Sequence, residues 1–149
     1  MTSTFILAQH RHISSLLQMM EAFYSIDGYA FDNQLTKNNL RLLVDDSNLG
    51  KAFLVQANQS IVGYFLITYG FSFEYGGRTA LVDEIYIKEE FRHQGLGKQI
   101  MEYIETQTKK EQIKLLQLEV EPRNTNAEML YLNYGFTQNK RKILTKHLT

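Results

Sequence analysis

The chain has 149 residues, with 16 basic and 16 acidic side chains, a net charge near zero, one proline and no cysteine. That length fits a single domain over residues 1–149 and buries roughly 70% of the unfolded surface without staples. A general nucleic-acid binder would be basic, a disordered tail strongly charged, and the missing cysteines exclude a disulfide framework, a thiolate metal site and a thiol nucleophile.

No run approaches ~18 apolar residues, so no membrane span is expected. The opening MTSTFILAQHRH has too short an apolar stretch for a secretory leader, and its basic residues follow that stretch. A cytoplasmic setting is expected.

FILAQ, residues 5–9, reads as a short strand. In residues 13–26, Ile13, Leu16, Leu17, Met20, Phe23 and Tyr24 recur at helical spacing, and Asp27-Gly28 ends the segment. Residues 33–46, NQLTKNNLRLLVDD, read as a second amphipathic helix with Leu35, Leu40, Leu43 and Val44 inward. KAFLVQAN and SIVGYFLITYGF read as strands joined by a tight turn at Asn58-Gln59, and the second turns again at Gly76-Gly77. TALVDEIYI, residues 79–87, suits a strand buried on both faces, in which Asp83 and Glu84 call for an explanation. A helix through Lys110 and a buried strand in KLLQLEVEP follow. Thr125 and Glu128 are placed to form a capping box for a helix that stops at Gly135. The tail FTQNKRKILTKHL alternates enough for one or two closing strands. The expected fold is α/β (α+β): a mixed central sheet of about six to seven strands with about four helices on its faces, in the order β-α-α-β-β-β-α-β-α-β-β.

RHQGLGK, residues 92–98, sits between a strand and a helix. A helix start offers unpaired N–H groups and a positive dipole end. Glycines let a backbone approach an anion closely, and consecutive N–H groups make an anion-binding nest. The P-loop pattern is absent, because no glycine stands at the required distance before Gly97-Lys98 and Gln99 follows. The dinucleotide pattern is absent too, because Ile100 stands where a third glycine belongs. What remains is R-x-x-G-x-G, with a plain glycine-rich helix start as the simpler reading.

A second segment repeats the theme one helix and one strand later. Asn124, Ala127, Leu130, Tyr131, Gly135 and Phe136 fit N-x-x-A-x-x-L-Y-x-x-x-G-F. With both motifs in this order, residues 79–136 resemble the GNAT superfamily of N-acetyltransferases, and the resemblance implies the GNAT acyl-CoA N-acyltransferase fold, acetyl-CoA as cosubstrate and an amine acceptor. It implies that Arg92, His93, Gln94, Gly95, Leu96, Gly97 and Lys98 take the pyrophosphate. It also implies that the strand of Ile85, Tyr86 and Ile87 splays from its neighbour and pairs its free backbone groups with the pantetheine arm, that an N–H near Ile85 polarises the thioester carbonyl, and that Asn124 contacts the cofactor. Tyr131 matches the family's general acid, although a helical aromatic stripe also suits a core. A homodimer is expected on the same grounds.

Glu84 is the first choice for general base. A carboxylate in that strand is costly to bury unpaired, and partial burial raises its pKa toward usefulness. By alternation Asp83 points to the other face. Glu119 is the rival base, since some relatives use a glutamate there, and Glu121 shares its face by the same alternation. Pairing with Arg78 is the plain structural alternative for Asp83 and Glu84.

For the acceptor, Glu21, Tyr24, Asp27, Tyr29 and Asp32, with Glu74 and Tyr75 of the hairpin, mix carboxylates with aromatics, which suits a cationic amine. Individually these are ordinary surface residues. Together they point to a small polyamine-like or aminoglycoside-like acceptor, with a peptide N-terminus or lysine as alternatives. His10 and His12 lack a third ligand at a recognisable spacing, so no metal is expected. A non-catalytic acetyl-CoA-binding module is the competing class, and Glu84 and Tyr131 count against it.

Overall fold

A computed structural model describes residues 1–149. The chain divides into two compact units, Met1–Glu119 and Val120–Thr149. No helix is long and apolar enough to cross a membrane.

The first unit contains β1 (Ser3–Leu7), α1 (Ile13–Ile26), α2 (Asn33–Asp45), β2 (Gly50–Ala57), β3 (Ser60–Ser72), β4 (Gly77–Ile87), α3 (Leu96–Lys110) and β5 (Leu115–Leu118). The strands form one sheet in chain order, antiparallel from β1 to β4 and parallel between β4 and β5. Asn58 and Gln59 both take positive φ, 50° and 65°, the backbone of a two-residue hairpin whose twist matches its strands.

The sheet has two dissimilar faces. Leu54, Tyr64 and Leu66 pack with Leu16, Leu17 and Met20 of α1 and Leu40 of α2. Alternation sends their neighbours the other way. Phe53 stacks on Phe65 at 5.0 Å, and Tyr103 of α3 lies 4.5 Å from Phe5. On α3, Leu96, Ile100, Met101 and Ile104 are buried.

Leu35 was expected inward but is 57% exposed. It lies five residues before Leu40, roughly 140° around the helix, so Leu40, Leu43 and Val44 alone form the packed stripe. Asp32 accepts the Leu35 N–H at 3.0 Å and caps α2.

β4 is not buried on both faces along its length. β5 pairs with it only from Thr79 to Val82, so residues 83–87 have β3 on one side and no strand on the other. The same residues are half-buried or exposed. β5 itself has only four residues, half-buried at the sheet edge. The sheet has five strands, not six or seven. The tail forms none, for its apolar residues do not alternate: Ile143 and Leu144 are adjacent, and both are exposed with Leu148.

In the second unit, α4 spans Thr125–Asn133. Its cap is Asn124 rather than Thr125: the Asn124 side chain accepts the Ala127 N–H at 3.2 Å. Asn124, Thr125 and Asn126 can all cap a helix, and the shift of one residue leaves the expected capping box unformed. At the other end Gly135 takes φ 86°. The Gly135 N–H donates to Leu132 O and the Phe136 N–H to Tyr131 O, the two bonds of a Schellman stop. The hydrophobic contact of that motif is Phe136 on Tyr131, ring centroids 6.1 Å apart.

Gly63 lies opposite Ile87, and a Cβ there would stand 2.3 Å from Tyr86 O. Gly63→Ala is therefore expected to destabilise the fold by about 3 kcal/mol, lowering Tm by roughly 6–12 °C in a thermal melt.

Candidate active site

The unpaired stretch of β4 ends at the glycine turn. His93 takes φ 60° and Gly95 takes φ 84°, so the backbone twice enters the left-handed region that curls N–H groups inward. The Gln99 N–H donates to Gly95 O, which leaves the N–H groups of Leu96, Gly97 and Lys98 without intrahelical acceptors. A Cβ on Gly95 would meet nothing within 4 Å; the glycine is there for its φ. The side chain of Leu96 is buried and anchors the helix, while His93, Gln94, Gly95 and Lys98 are exposed. This end of α3 fits a diphosphate. Arg92, expected to add charge, turns back instead: its Nε donates to Ile87 O at 2.7 Å and its guanidinium lies 5.8 Å from the Tyr86 ring. It pins the end of the open strand.

The opening starts where two carboxylates would meet. The last pair of the β4–β5 ladder is Val82 with Leu118, so the next would be Asp83 with Glu119. Like charges directly opposite destabilise a ladder. Burial, then the Glu119 charge, pushes the Asp83 carboxyl up. Asp83 also has no counterpart in β3, where Leu66 faces Glu84 and Ile67 faces Val82. This bulge re-aims the residues after it.

Glu84 points to the α1 face. Its Oε1 accepts the Tyr64 hydroxyl at 2.7 Å and its Oε2 the Tyr24 hydroxyl at 2.8 Å. Burial holds its carboxyl above the usual range; the two phenols pull it down in part, and the Asp83 charge pushes it up. Both phenols are pushed well above their ordinary value, Tyr64 by burial and the Glu84 charge, Tyr24 by burial and its bond to Glu84. Tyr24 packs between Phe23 and Phe31, and Phe23 stacks on Tyr86 at 5.7 Å. Arg78 does not pair with Asp83 or Glu84; it sits over the Tyr69 ring at 4.4 Å.

The other expected residues are dispersed. Glu119 is exposed one residue beyond β5, which ends at Leu118, so strand alternation does not govern it or Glu121. Glu21 is exposed on α1, Asp27 caps that helix, and Tyr29 follows with its N–H on Tyr24 O. Glu74 lies in the β3–β4 turn, beyond Gly77. Glu84 lies seven positions along the strand from Gly77, roughly 20 Å, so Glu74 and Tyr75 are not part of this cluster. His10 pairs with Asp45 and His12 accepts from the Gln9 N–H. In the second unit, burial raises the Tyr131 phenol, and Asn124 is engaged as the α4 cap.

Tyr64 was missed from sequence. A tyrosine in the apolar run VGYFLI needs a partner for its hydroxyl, and that need was the available clue. Phe23 gave none beyond its helical spacing, and Phe31, in the loop before α2, gave none at all.

The acetyltransferase (GNAT) family model matches residues 15–136. An uncharacterized N-acetyltransferase of Lactobacillus delbrueckii subsp. lactis is 35% identical over 57 residues, covering 38% of this chain and 33% of that protein. The match thus spans about a third of that relative. Among solved structures, an integron cassette protein from the mobile metagenome of Cole Harbour salt marsh superposes with TM-score 0.87 at 25% identity, over 97% of this chain and 90% of that one. An aminoglycoside N-acetyltransferase in complex with CoA superposes with TM-score 0.83 at 12% identity, over 99% and 96%. At that identity the likeness is one of fold.

Because Glu84 has a raised carboxyl in the folded state, its contribution to stability is fully present below its unfolded value and is lost as pH rises through the folded one. Glu84→Gln removes this dependence. The Tm of the variant minus that of the parent is expected to increase from pH 4 to pH 7, read by paired melts across that range.

Proposed function

The chain belongs to the acetyltransferase (GNAT) family, and we propose that it transfers the acetyl group of acetyl-CoA to a primary amine of a small cationic molecule. One observation carries this reading: β4 loses its neighbour after Val82 and runs, unpaired on that side, to a helix start whose N–H groups are also unpaired. A backbone left open in this way suits an amide-rich arm lying where a strand would lie, with a diphosphate at the helix end.

Acetyl-CoA, when bound, supplies a thioester to an attacking amine. The residues of this chain divide the remaining work. The N–H groups of residues 95–98 hold the diphosphate, and Ile85, Tyr86 and Ile87 align the arm. The Ile85 N–H donates to the carbonyl as negative charge builds on it. Glu84, directly or through a water, takes the proton of the amine as the N–C bond forms. Tyr131, kept protonated by burial, gives its proton to the departing sulfur. Atoms and charge balance: amine and thioester become amide and thiol.

Between the two candidate bases, the surroundings favour Glu84, which is enclosed by phenols and raised by burial. Glu119 has a different duty at the fork, where its charge opposes Asp83. The carboxylate of Glu84 beside the rings of Tyr24, Phe23 and Phe31 suits a polyamine-like or aminoglycoside-like cation, with Glu21, Asp27 and Tyr29 nearest in sequence.

Acetyl-CoA is expected to raise Tm, as any ligand selective for the folded state does; no shift at saturation would reject the cofactor site. With the acceptor found by a free-thiol screen, to which a cysteine-free protein adds no background, Tyr131→Phe is expected to lower kcat roughly 10²-fold with cofactor affinity nearly intact. A base works unprotonated, so kcat/KM should fall as pH drops through the raised Glu84 value. Glu84→Gln should abolish that acid limb and Glu119→Gln should keep it. The opposite pattern would exchange their roles.

A further inference from the structure

We propose that Tyr64 and Tyr24 are positioning residues for Glu84 with unequal duties: Tyr64 holds Oε1 permanently, and Tyr24 guards Oε2 until the incoming amine or its water replaces it. The inference rests on the reading of Glu84 as the base and adds how that base is aimed.

No cation is among the groups that act on the Glu84 carboxyl, which are Tyr64, Tyr24 and Asp83, and the pairs His10–Asp45, Lys51–Glu111, Lys98–Glu102 and Lys109–Glu105 do not include it. Its carboxylate is held by two neutral donors, one on each oxygen. Two such bonds fix both the position and the rotation of the planar group, which one bond would leave free to swing.

The two donors sit in different surroundings. Tyr64 is 0% exposed, set in β3 two residues before Leu66, the cross-strand partner of Glu84. Its ring is wedged by Tyr86 at 5.8 Å and Phe23 at 6.4 Å. If the Tyr64 hydroxyl left Oε1, it would be stranded without any partner, a full desolvation penalty. Tyr24 is half-buried on α1, with its ring against Phe31 at 5.5 Å. Its hydroxyl can leave Oε2 and meet water. Only Oε2 can therefore be surrendered at little cost, and it is the oxygen on the side of α1, where the acceptor is expected. As the N–C bond forms, the N–H bond breaks and its proton passes to Oε2, while Tyr64 keeps the carboxyl from turning. The proton then returns to solvent.

Both phenols also favour the ionised carboxylate, with Tyr64 the stronger. Deleting either hydroxyl should therefore move the Glu84 titration to higher pH.

The test needs no identified acceptor. The titration of the Glu84 carboxyl carbon is followed by ¹³C NMR in the parent, Tyr64→Phe and Tyr24→Phe proteins. Solvent exchange of the phenolic protons is followed by ¹H NMR. The midpoint is expected to move up in both variants and further in Tyr64→Phe. One slowly exchanging phenolic proton should vanish in Tyr64→Phe and persist in Tyr24→Phe. Unmoved midpoints, the response to a purely structural role, would overturn the inference. So would equal shifts with both phenolic protons exchanging alike. If Tyr64→Phe does not fold, Tyr24→Phe alone must raise the midpoint and retain the slow proton. Should these titrations behave as expected while Glu84→Gln keeps the acid limb of kcat/KM, the base assignment fails and the clamp stands.

Discussion

Past Val82 the main chain of β4 has no strand to bond on one side, and the rest of the site follows from that gap. Buried N–H and C=O groups must find partners, so an open edge in the middle of a sheet persists only if something opposes closure. Three features do so here. Asp83 and Glu119 would become direct neighbours if the ladder advanced by one pair. The extra residue at Asp83 interrupts the regular pleat. Arg92 occupies the carbonyl of Ile87 at the far end. Charge, register and a side-chain cap thus hold open a slot that hydrogen bonding alone would close.

The same bulge sets the electrostatics on the other side of β4. It delivers Glu84 to the α1 face, among aromatic rings where ionisation is disfavoured and the only donors are phenols. A carboxylate paired with lysine or arginine would be a weak base, because the cation stabilises its charged form. Neutral donors fix the carboxylate in place while leaving more of its proton affinity. The Schellman stop of α4 performs a comparable local task for Tyr131, whose ring meets Phe136 because the glycine between them reverses the chain.

What was legible in the sequence was local chemistry. The turn at residues 92–98 and the stop at Gly135 announce themselves because few residues accept positive φ. The Asn58-Gln59 hairpin and the first four strands follow from short apolar runs bounded by turn residues. The α4 cap was placed one residue late because three successive residues share the same capping chemistry. Leu35 was read inward with the other apolar residues of its amphipathic helix, although its angle around the helix excludes it. The tail strands were inferred from an alternation that Ile143 and Leu144 break. The clamp on Glu84 was not legible: it joins residues 20 and 60 positions apart in the chain, and no window of sequence contains both partners. The gap in the sheet was expected from the family resemblance alone and not from the residues themselves, since the length of a parallel ladder depends on what lies opposite each strand.

The two dissimilar faces of the sheet have a consequence for descent. The stacked phenylalanines and Tyr103 beneath α3 secure the helix whose first turn carries the unpaired N–H groups, and they share no side chain with the rings around Glu84. Replacements at Phe31, which touches Tyr24 and not the sheet aromatics beneath α3, can accumulate without loosening that helix. On the proposed function, a lineage built this way can exchange one amine for another by drift on a single surface, while the helix start proposed to hold the acyl donor is inherited unchanged.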